Sequence, residues 1–315
     1  MNEPPLMLEA RGLTRRFGSL TAVDRMDLAV PAGVVFGFIG PNGAGKTTTI
    51  RILATLDLPT EGTAKVAGFD VVDEPEAVRD AMGFMPDAFG VYDGLTVAEY
   101  LEFFAAAYRL PRSRWKGVVD DVMALCDLGD LRDRMVENLS KGMRQRLCLA
   151  KTLVHDPKVL ILDEPAEGLD PRARIELRAL LRELARMGKT ILISSHILTE
   201  LSDLCTWVGI VEKGRLLASG PIEKVVGSLH AARRYRLRFA SRANEALKAL
   251  SLCPGVAGTE MDATGRVVLD WTGAPEEVHR ILQVLAERQL PLTGMEEEAR
   301  NLETLFLQVT KGTVA

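Results

Sequence analysis

Between Leu6 and Phe38, short runs rich in Val, Leu and Phe are interrupted at Gly12, at Gly18 and at Pro31-Ala32-Gly33. That rhythm predicts an antiparallel sheet. Val34 to Ile39 reads as a buried strand, and it leads straight into Gly40-Pro41-Asn42-Gly43-Ala44-Gly45-Lys46-Thr47-Thr48 and a helical stretch. From Thr96 to Leu153 the period lengthens: Val97, Tyr100, Leu101 and Phe104 form one stripe, and Val118, Val122 and Leu125 another. An inserted helical subdomain is expected there. Val159-Leu160-Ile161-Leu162 returns to strand, and the helix after it is bounded by Asp170 as N-cap, Pro171 at its first position and Gly188 past its end. Ile191-Leu192-Ile193 is the next buried strand, Lys213-Gly214 marks a hairpin, and Gly220-Pro221 a break. Beyond a boundary placed near residue 228 the rhythm changes. Alternation at Tyr235, Leu237 and Phe239, a helix around Ala243 to Leu250, two strand-like stretches, a helix from Pro275 to Arg288 and a final helical run suggest a small βαββαβ unit.

Composition narrows the function. The 315 residues are 47% hydrophobic and 26% charged, enough for one large domain and a small one. A net charge of -4 gives no global reason to expect nucleic acid. No apolar stretch approaches the roughly 18 residues of a membrane span, and Met1-Asn2-Glu3-Pro4-Pro5 lacks the features of a signal peptide, so a cytoplasmic chain is expected. Cys126, Cys148, Cys205 and Cys253 are far apart and form no Cys-x-x-Cys pair, which predicts buried reduced thiols rather than zinc or disulfides.

Two motifs carry phosphate chemistry. Gly40 to Thr47 fits Gly-x4-Gly-Lys-[Ser/Thr], in which backbone N–H groups wrap phosphates and the helix N-terminus adds positive potential. Lys46 would reach the β- and γ-phosphates, and the Thr47 hydroxyl would ligate Mg²⁺. Downstream, four apolar residues end in Asp163-Glu164, which resembles a Walker B element. Asp163 would hold the Mg²⁺ shell and Glu164 would polarise the attacking water.

Leu139-Ser140-Lys141-Gly142-Met143-Arg144-Gln145 resembles the ABC transporter signature Leu-Ser-Gly-Gly-Gln, with Lys141 and Met143 as departures. The likeness continues through Ala166-Glu167-Gly168-Leu169-Asp170, similar to the family's D-loop, and Ser194-Ser195-His196, similar to its switch histidine. Phe17 resembles the aromatic that stacks on adenine. The resemblance implies nucleotide binding by Phe17, Gly40, Asn42, Gly43, Ala44, Gly45, Lys46, Thr47 and Thr48, catalysis by Glu164, His196 and Lys46, and metal ligation by Thr47, Asp87 and Asp163. It also implies that Ser140, Lys141, Gly142 and Met143 act on nucleotide held by a second subunit, with Asp170 in the D-loop. Asp87 stands where the family usually has glutamine. With the Ser-Lys-Gly-Met signature and the ending Leu302-Glu303-Thr304-Leu305-Phe306-Leu307, that substitution resembles the drug, lipid and polysaccharide exporter branch, which includes daunorubicin-resistance ATPases.

The expected fold is α/β: a P-loop core with an antiparallel β subdomain and a helical subdomain at about 88–154, within an ATPase domain at 1–228, then an α+β domain at 229–315. The expected function is ATP hydrolysis, with ATP and Mg²⁺, by an exporter motor. Its implied partners are a second ATPase subunit, most simply a copy of itself, and a separately encoded membrane permease. Localisation on the cytoplasmic face of the cell membrane follows. The rival is a soluble ABC ATPase acting on nucleic acid or ribosomes. Phe89, Val91 and Tyr92, large apolar residues without an obvious core, are expected to face the permease. Arg234, Arg236 and Arg238 form one strand face, either solvated or turned to an anionic partner.

Overall fold

The computed structural model describes residues 4–88, 90, 92, 94–197, 204–229 and 233–297. It divides into two compact units, the first running to Ile222 and the second beginning at Glu223, a few residues ahead of the break expected near 228.

The first unit opens with β1 (Leu6–Phe17), β2 (Leu20–Pro31), β3 (Val35–Ile39), α1 (Lys46–Leu53), β4 (Glu61–Val66) and β5 (Phe69–Asp70). It continues through α2 (Pro75–Ala81), β6 (Met82–Met85), α3 (Val97–Ala107), α4 (Arg112–Leu125), α5 (Lys141–Leu153) and β7 (Val159–Leu162). α6 (Pro171–Arg186), β8 (Thr190–Ser195), β9 (Trp207–Glu212) and β10 (Arg215–Pro221) complete it. An antiparallel sheet runs β2-β1-β4-β5, and a six-stranded sheet runs β10-β9-β3-β8-β7-β6. All pairings from β9 to β6 are parallel, while β10 closes the edge antiparallel through its hairpin. Every residue of β3, β7 and β8 is buried, as strands covered on both faces require.

One apolar core joins the two sheets. Leu8, Val23 and Met26 meet Phe36, Phe38, Ile50 and Ile161 around α1. Phe36 and Phe38 are 0% exposed, and each such burial contributes about 2–3 kcal/mol. This core anchors the strand from which the phosphate loop leaves.

Three sequence expectations need adjustment. Gly12 does not end a strand; β1 runs through it with a register shift between Ala10 and Leu13, and the Gly12 N–H is taken by Asp27 Oδ1 at 2.7 Å. On α3, Val97, Tyr100 and Leu101 are buried, but Phe104 is only half-buried. On α4 the deepest face is Val119, Val122 and Met123, with Cys126 at its end, one position round from the stripe through Val118 and Leu125. The residues that pack against α3 and α5 select that rotation, which periodicity alone leaves free. Helix ends follow local chemistry: Thr96 and Glu99 form a capping box on α3, and Asp170 Oδ1 accepts from Ala173 N at 2.9 Å on α6.

α7 (Ile222–Leu229) spans the division, and the second unit then comprises β11 (Arg233–Phe239), α8 (Ala243–Leu250), β12 (Val256–Met261), β13 (Val267–Trp271), α9 (His279–Glu287) and β14 (Leu292–Glu297). Its antiparallel sheet runs β12-β13-β11-β14, the split βαβ arrangement of ferredoxin-like folds. Tyr235, Leu237, Leu269 and Trp271 bury against Ala246, Leu250, Ile281 and Leu285 of the two helices. On the other face Arg234 pairs with Glu260 and lies 3.8 Å from Asp270, and Arg236 stands opposite Glu296 in register. Carboxylates on flanking strands therefore offset the β11 arginines, and the face is mixed in charge rather than basic.

All four cysteines are buried and unbonded to one another. Burial pushes the Cys126 thiol up to about 12 and Cys148 to about 11, leaving both protonated and unreactive. Among the described residues no helix is long and apolar enough to cross a membrane. Phe89, Val91 and the run Leu302 to Leu307 lie outside the described residues.

Candidate functional site

The phosphate loop leaves the end of β3 and tightens into α1 at Gly45, whose φ of 99° favours glycine. A Cβ there would meet the Ala22 carbonyl oxygen of β2 at 2.4 Å, so the loop can pack this closely only with glycine. α1 begins without a side-chain cap, which leaves its first-turn N–H groups directed at the cleft. Lys46 opens the helix, 5% exposed. Its ammonium donates to the carbonyls of Gly40 at 2.7 Å and Pro41 at 3.3 Å, and it lies 3.5 Å from Glu164 Oε1.

Opposite the loop, β7 ends in the two carboxylates. Asp163 is 1% exposed and accepts a 2.6 Å hydrogen bond from the Ser194 hydroxyl on β8, while that same oxygen accepts from Glu164 N at 2.8 Å. Burial raises the Asp163 pKa most; hydrogen bonds from Ser194 and Thr47 pull it down, and the charges of Asp87 and Glu164 push it up. Thr47, Asp87 and Asp163 thus share one electrostatic neighbourhood. Glu164 adopts φ 47°, a strained conformation costing on the order of 1 kcal/mol. Its carboxylate bridges Lys46 and His196, whose Nδ1 lies 2.9 Å from Oε2. Ser194, which ties the Asp163 carboxylate and the Glu164 backbone N–H to β8, was not singled out in the sequence. Its neighbours in Ser194-Ser195-His196 were the available signal, but its role depends on the parallel pairing of Leu162 with Ile193.

These groups wall an open cleft. Phe17, Asn42 through Thr48, Asp87, Glu164 and His196 line it, together with Glu167 and Lys213, which the motifs did not mark for this site. Phe17 is 47% exposed, with the Arg15 guanidinium 4.5 Å from its ring centre, so it is not a core residue. Asp87 is exposed, and its Oδ1 accepts from Ala88 N at 2.7 Å. Among the described residues no three His, Cys, Asp or Glu side chains gather as a metal cage.

The signature residues lie elsewhere. Ser140 caps α5, accepting from Met143 N at 3.3 Å. Ser140, Lys141, Gly142 and Met143 share a second cleft with Gly168 and Asp170, and no lining residue is common to the two clefts. His155, by contrast, is structural: its ring stacks on Tyr108 at 3.6 Å, and burial lowers its pKa.

Comparison with known proteins bears on the family of the chain. A family model described as "ABC transporter" matches residues 23–167. The daunorubicin/doxorubicin resistance ATP-binding protein DrrA of Streptomyces peucetius is 36% identical over 98% of this chain and 93% of its own length. Nod factor export ATP-binding protein I of Ralstonia nicotianae is 31% identical over 96% of this chain and 94% of its own. A solved ATP binding subunit of an ABC transporter superposes with a TM-score of 0.65 at 29% identity, covering 70% of this chain and 92% of that one.

Proposed function

The chain belongs to the ABC transporter family of ATP-binding proteins, and from that premise we propose that it is the ATP-hydrolysing motor of an exporter, working in pairs on a separately encoded membrane permease. The observation that carries the chemistry is Glu164, held between Lys46 and His196 at the mouth of the phosphate loop. In the reaction ATP + H₂O → ADP + phosphate, the Glu164 carboxylate takes a proton from water as oxygen attacks the γ-phosphorus and the bond to the ADP oxygen breaks. His196 orients Glu164, and Lys46 offsets charge on the β- and γ-phosphates. Thr47 and Asp163, with Asp87 beside them, offer the hard oxygens that suit Mg²⁺, which supplies further charge neutralisation when bound. Phosphate release from ATP, with Glu164→Gln as the expected inactive variant, tests this assignment.

Pairing is supported by the separation of the two clefts. Ser140 and the N-terminus of α5 line no part of their own chain's phosphate-loop cleft, so contact with ATP requires the cleft of another chain. A sandwich of two copies makes both sites complete. The names of the two relatives concern drug resistance and export; the export role is what we carry over, and it puts the chain at the cytoplasmic face of a membrane.

At Asp87 the sign of the charge effect depends on the nearer neighbour. A unit pair at about 4 Å contributes about 4 kcal/mol at an effective dielectric near 20, attractive toward Mg²⁺ and repulsive toward the γ-phosphate. With its oxygen in the metal shell, Asp87→Ala lowers Mg²⁺-dependent turnover by about tenfold, and Asp87→Gln by less, because glutamine retains an oxygen ligand. Equal steady-state rates for wild type and both variants would remove Asp87 from that shell.

The permease surface is best supported on α3 and the loop after Asp87. Tyr92 is 54% and Phe103 47% exposed, with ring centres 5.2 Å apart, and they extend a cluster through Phe104 and Tyr100. Two half-exposed aromatic rings stacked edge to face present an apolar surface suited to a partner. Tyr92→Glu with Phe103→Glu should leave basal phosphate release near wild type yet prevent recruitment to membranes that contain the permease. Undiminished recruitment in a flotation assay would dismiss this surface.

A further inference from the structure

Lys213 stands in the wall of the phosphate-loop cleft, outside every motif that identifies the site. It occupies the tip of the hairpin joining β9 to β10, where Lys213 and Gly214 both have positive φ, 49° and 79°. Such a turn needs only to reverse the chain. This one is clamped as well. Gly214 N donates to the Ala44 carbonyl of the phosphate loop at 2.9 Å, and Asp24 N of β2 donates to the Gly214 carbonyl at 2.9 Å. Arg215 Nε donates to Asp24 Oδ2 at 2.7 Å. Packing is equally close: a Cβ on Gly214 would come within 2.8 Å of the Ala22 oxygen, the same atom that confines Gly45. The hairpin tip, β2 and the phosphate loop therefore form one rigid corner, and Lys213 projects from it.

The charges in the cleft make that lysine informative. Its carboxylates are Asp87, Glu164 and Glu167, and its lysines are Lys46 and Lys213. Lys46 is buried against Glu164 and two loop carbonyls. Lys213 is exposed, and among the described residues it makes no hydrogen bond or ion pair through its ammonium. An ammonium held by a fixed backbone in a cleft that takes a polyanion is pre-organised for charge-assisted hydrogen bonds to that anion. Its anchor, Ala44 and Gly45, belongs to the loop itself, whereas Glu164 and His196, the groups assigned to hydrolysis, come from β7 and the end of β8.

We infer that Lys213 is a second phosphate-recognising cation of this site, acting on the phosphates that remain in ADP rather than on the one transferred. This rests on the cleft being an ATP site, and it adds a specificity-determining residue to it. Because φ at 213 is positive, Lys213→Asn is the replacement that removes the charge with least backbone strain, and Lys213→Arg keeps the charge.

The experiment measures equilibrium binding of ATP, ADP and adenosine to the full chain in EDTA, where turnover does not intervene, with Lys46→Ala alongside. Lys213→Asn should weaken ATP and ADP by the same factor, about fivefold for one exposed ion pair, with a shallower salt dependence. Lys213→Arg should stay within about twofold of wild type, and adenosine should bind all the Lys213 proteins alike. Unchanged affinity for both nucleotides overturns the inference. A loss confined to ATP, or an equal loss for adenosine, overturns it too, since these indicate a γ-phosphate contact or a structural role. If Lys46→Ala loses nucleotide while Lys213→Asn does not, only this inference falls; if wild type binds no nucleotide in EDTA or with Mg²⁺ and ADP, the ATP-site reading falls with it.

Discussion

Glu164→Gln should bind ATP as tightly as wild type, or more tightly, and release phosphate about two to three orders of magnitude more slowly, the usual contribution of a general base. An amide has the carboxylate's shape and can still meet His196 Nδ1, which lies 2.9 Å from Oε2. It cannot take the proton that water must lose. Removing this negative charge also frees Lys46, 3.5 Å away, to act wholly on phosphate, and it relieves repulsion with the γ-phosphate. Hydrolysis stops while the bound state persists, so a dimer holding ATP should accumulate. Phosphate release and sedimentation with ATP and Mg²⁺ measure both effects. A rate within about tenfold of wild type would mean that another group is the base. A variant that stays monomeric at saturating ATP would count against the paired site.

Lys46→Ala should weaken ATP binding by about two to three orders of magnitude, because it removes a charge within contact distance of two phosphates. The position magnifies the loss. At 5% exposure the ammonium is shielded from water, and its removal leaves the Gly40 carbonyl without a donor and Glu164 with one fewer cation. Lys46→Arg should not restore binding, since a planar guanidinium does not fit where a point charge sits between two carbonyls. Titration calorimetry separates the cases, and wild-type affinity in the alanine variant would contradict the assignment of the phosphate loop.

Where a few consecutive residues decide the geometry, the sequence alone determined the structure. Gly45 closes the loop after an apolar strand and Lys46 opens the helix, the strand, loop and helix order that the motif predicts. Asp170 and Pro171 start α6 because the Asp170 side chain bonds its own first turn. Asp163 and Glu164 directly follow β7, where the apolar run of that strand stops. Tertiary structure decided what depends on residues far apart in the chain. Whether Val118 or Val119 faces inward on α4 differs by a single step of rotation, and packing against neighbouring helices sets it. Ser194 reaches Asp163 and Glu164 only because β8 lies parallel to β7 in one register. Lys213 enters the cleft only because a hairpin more than 160 residues beyond the phosphate loop docks on Ala44. Short-range steric and capping rules act within a turn or two of chain and can be read from letters in order. The final placement of charges around a polyanion is a sum over elements that folding brings together, and no single stretch of sequence contains it.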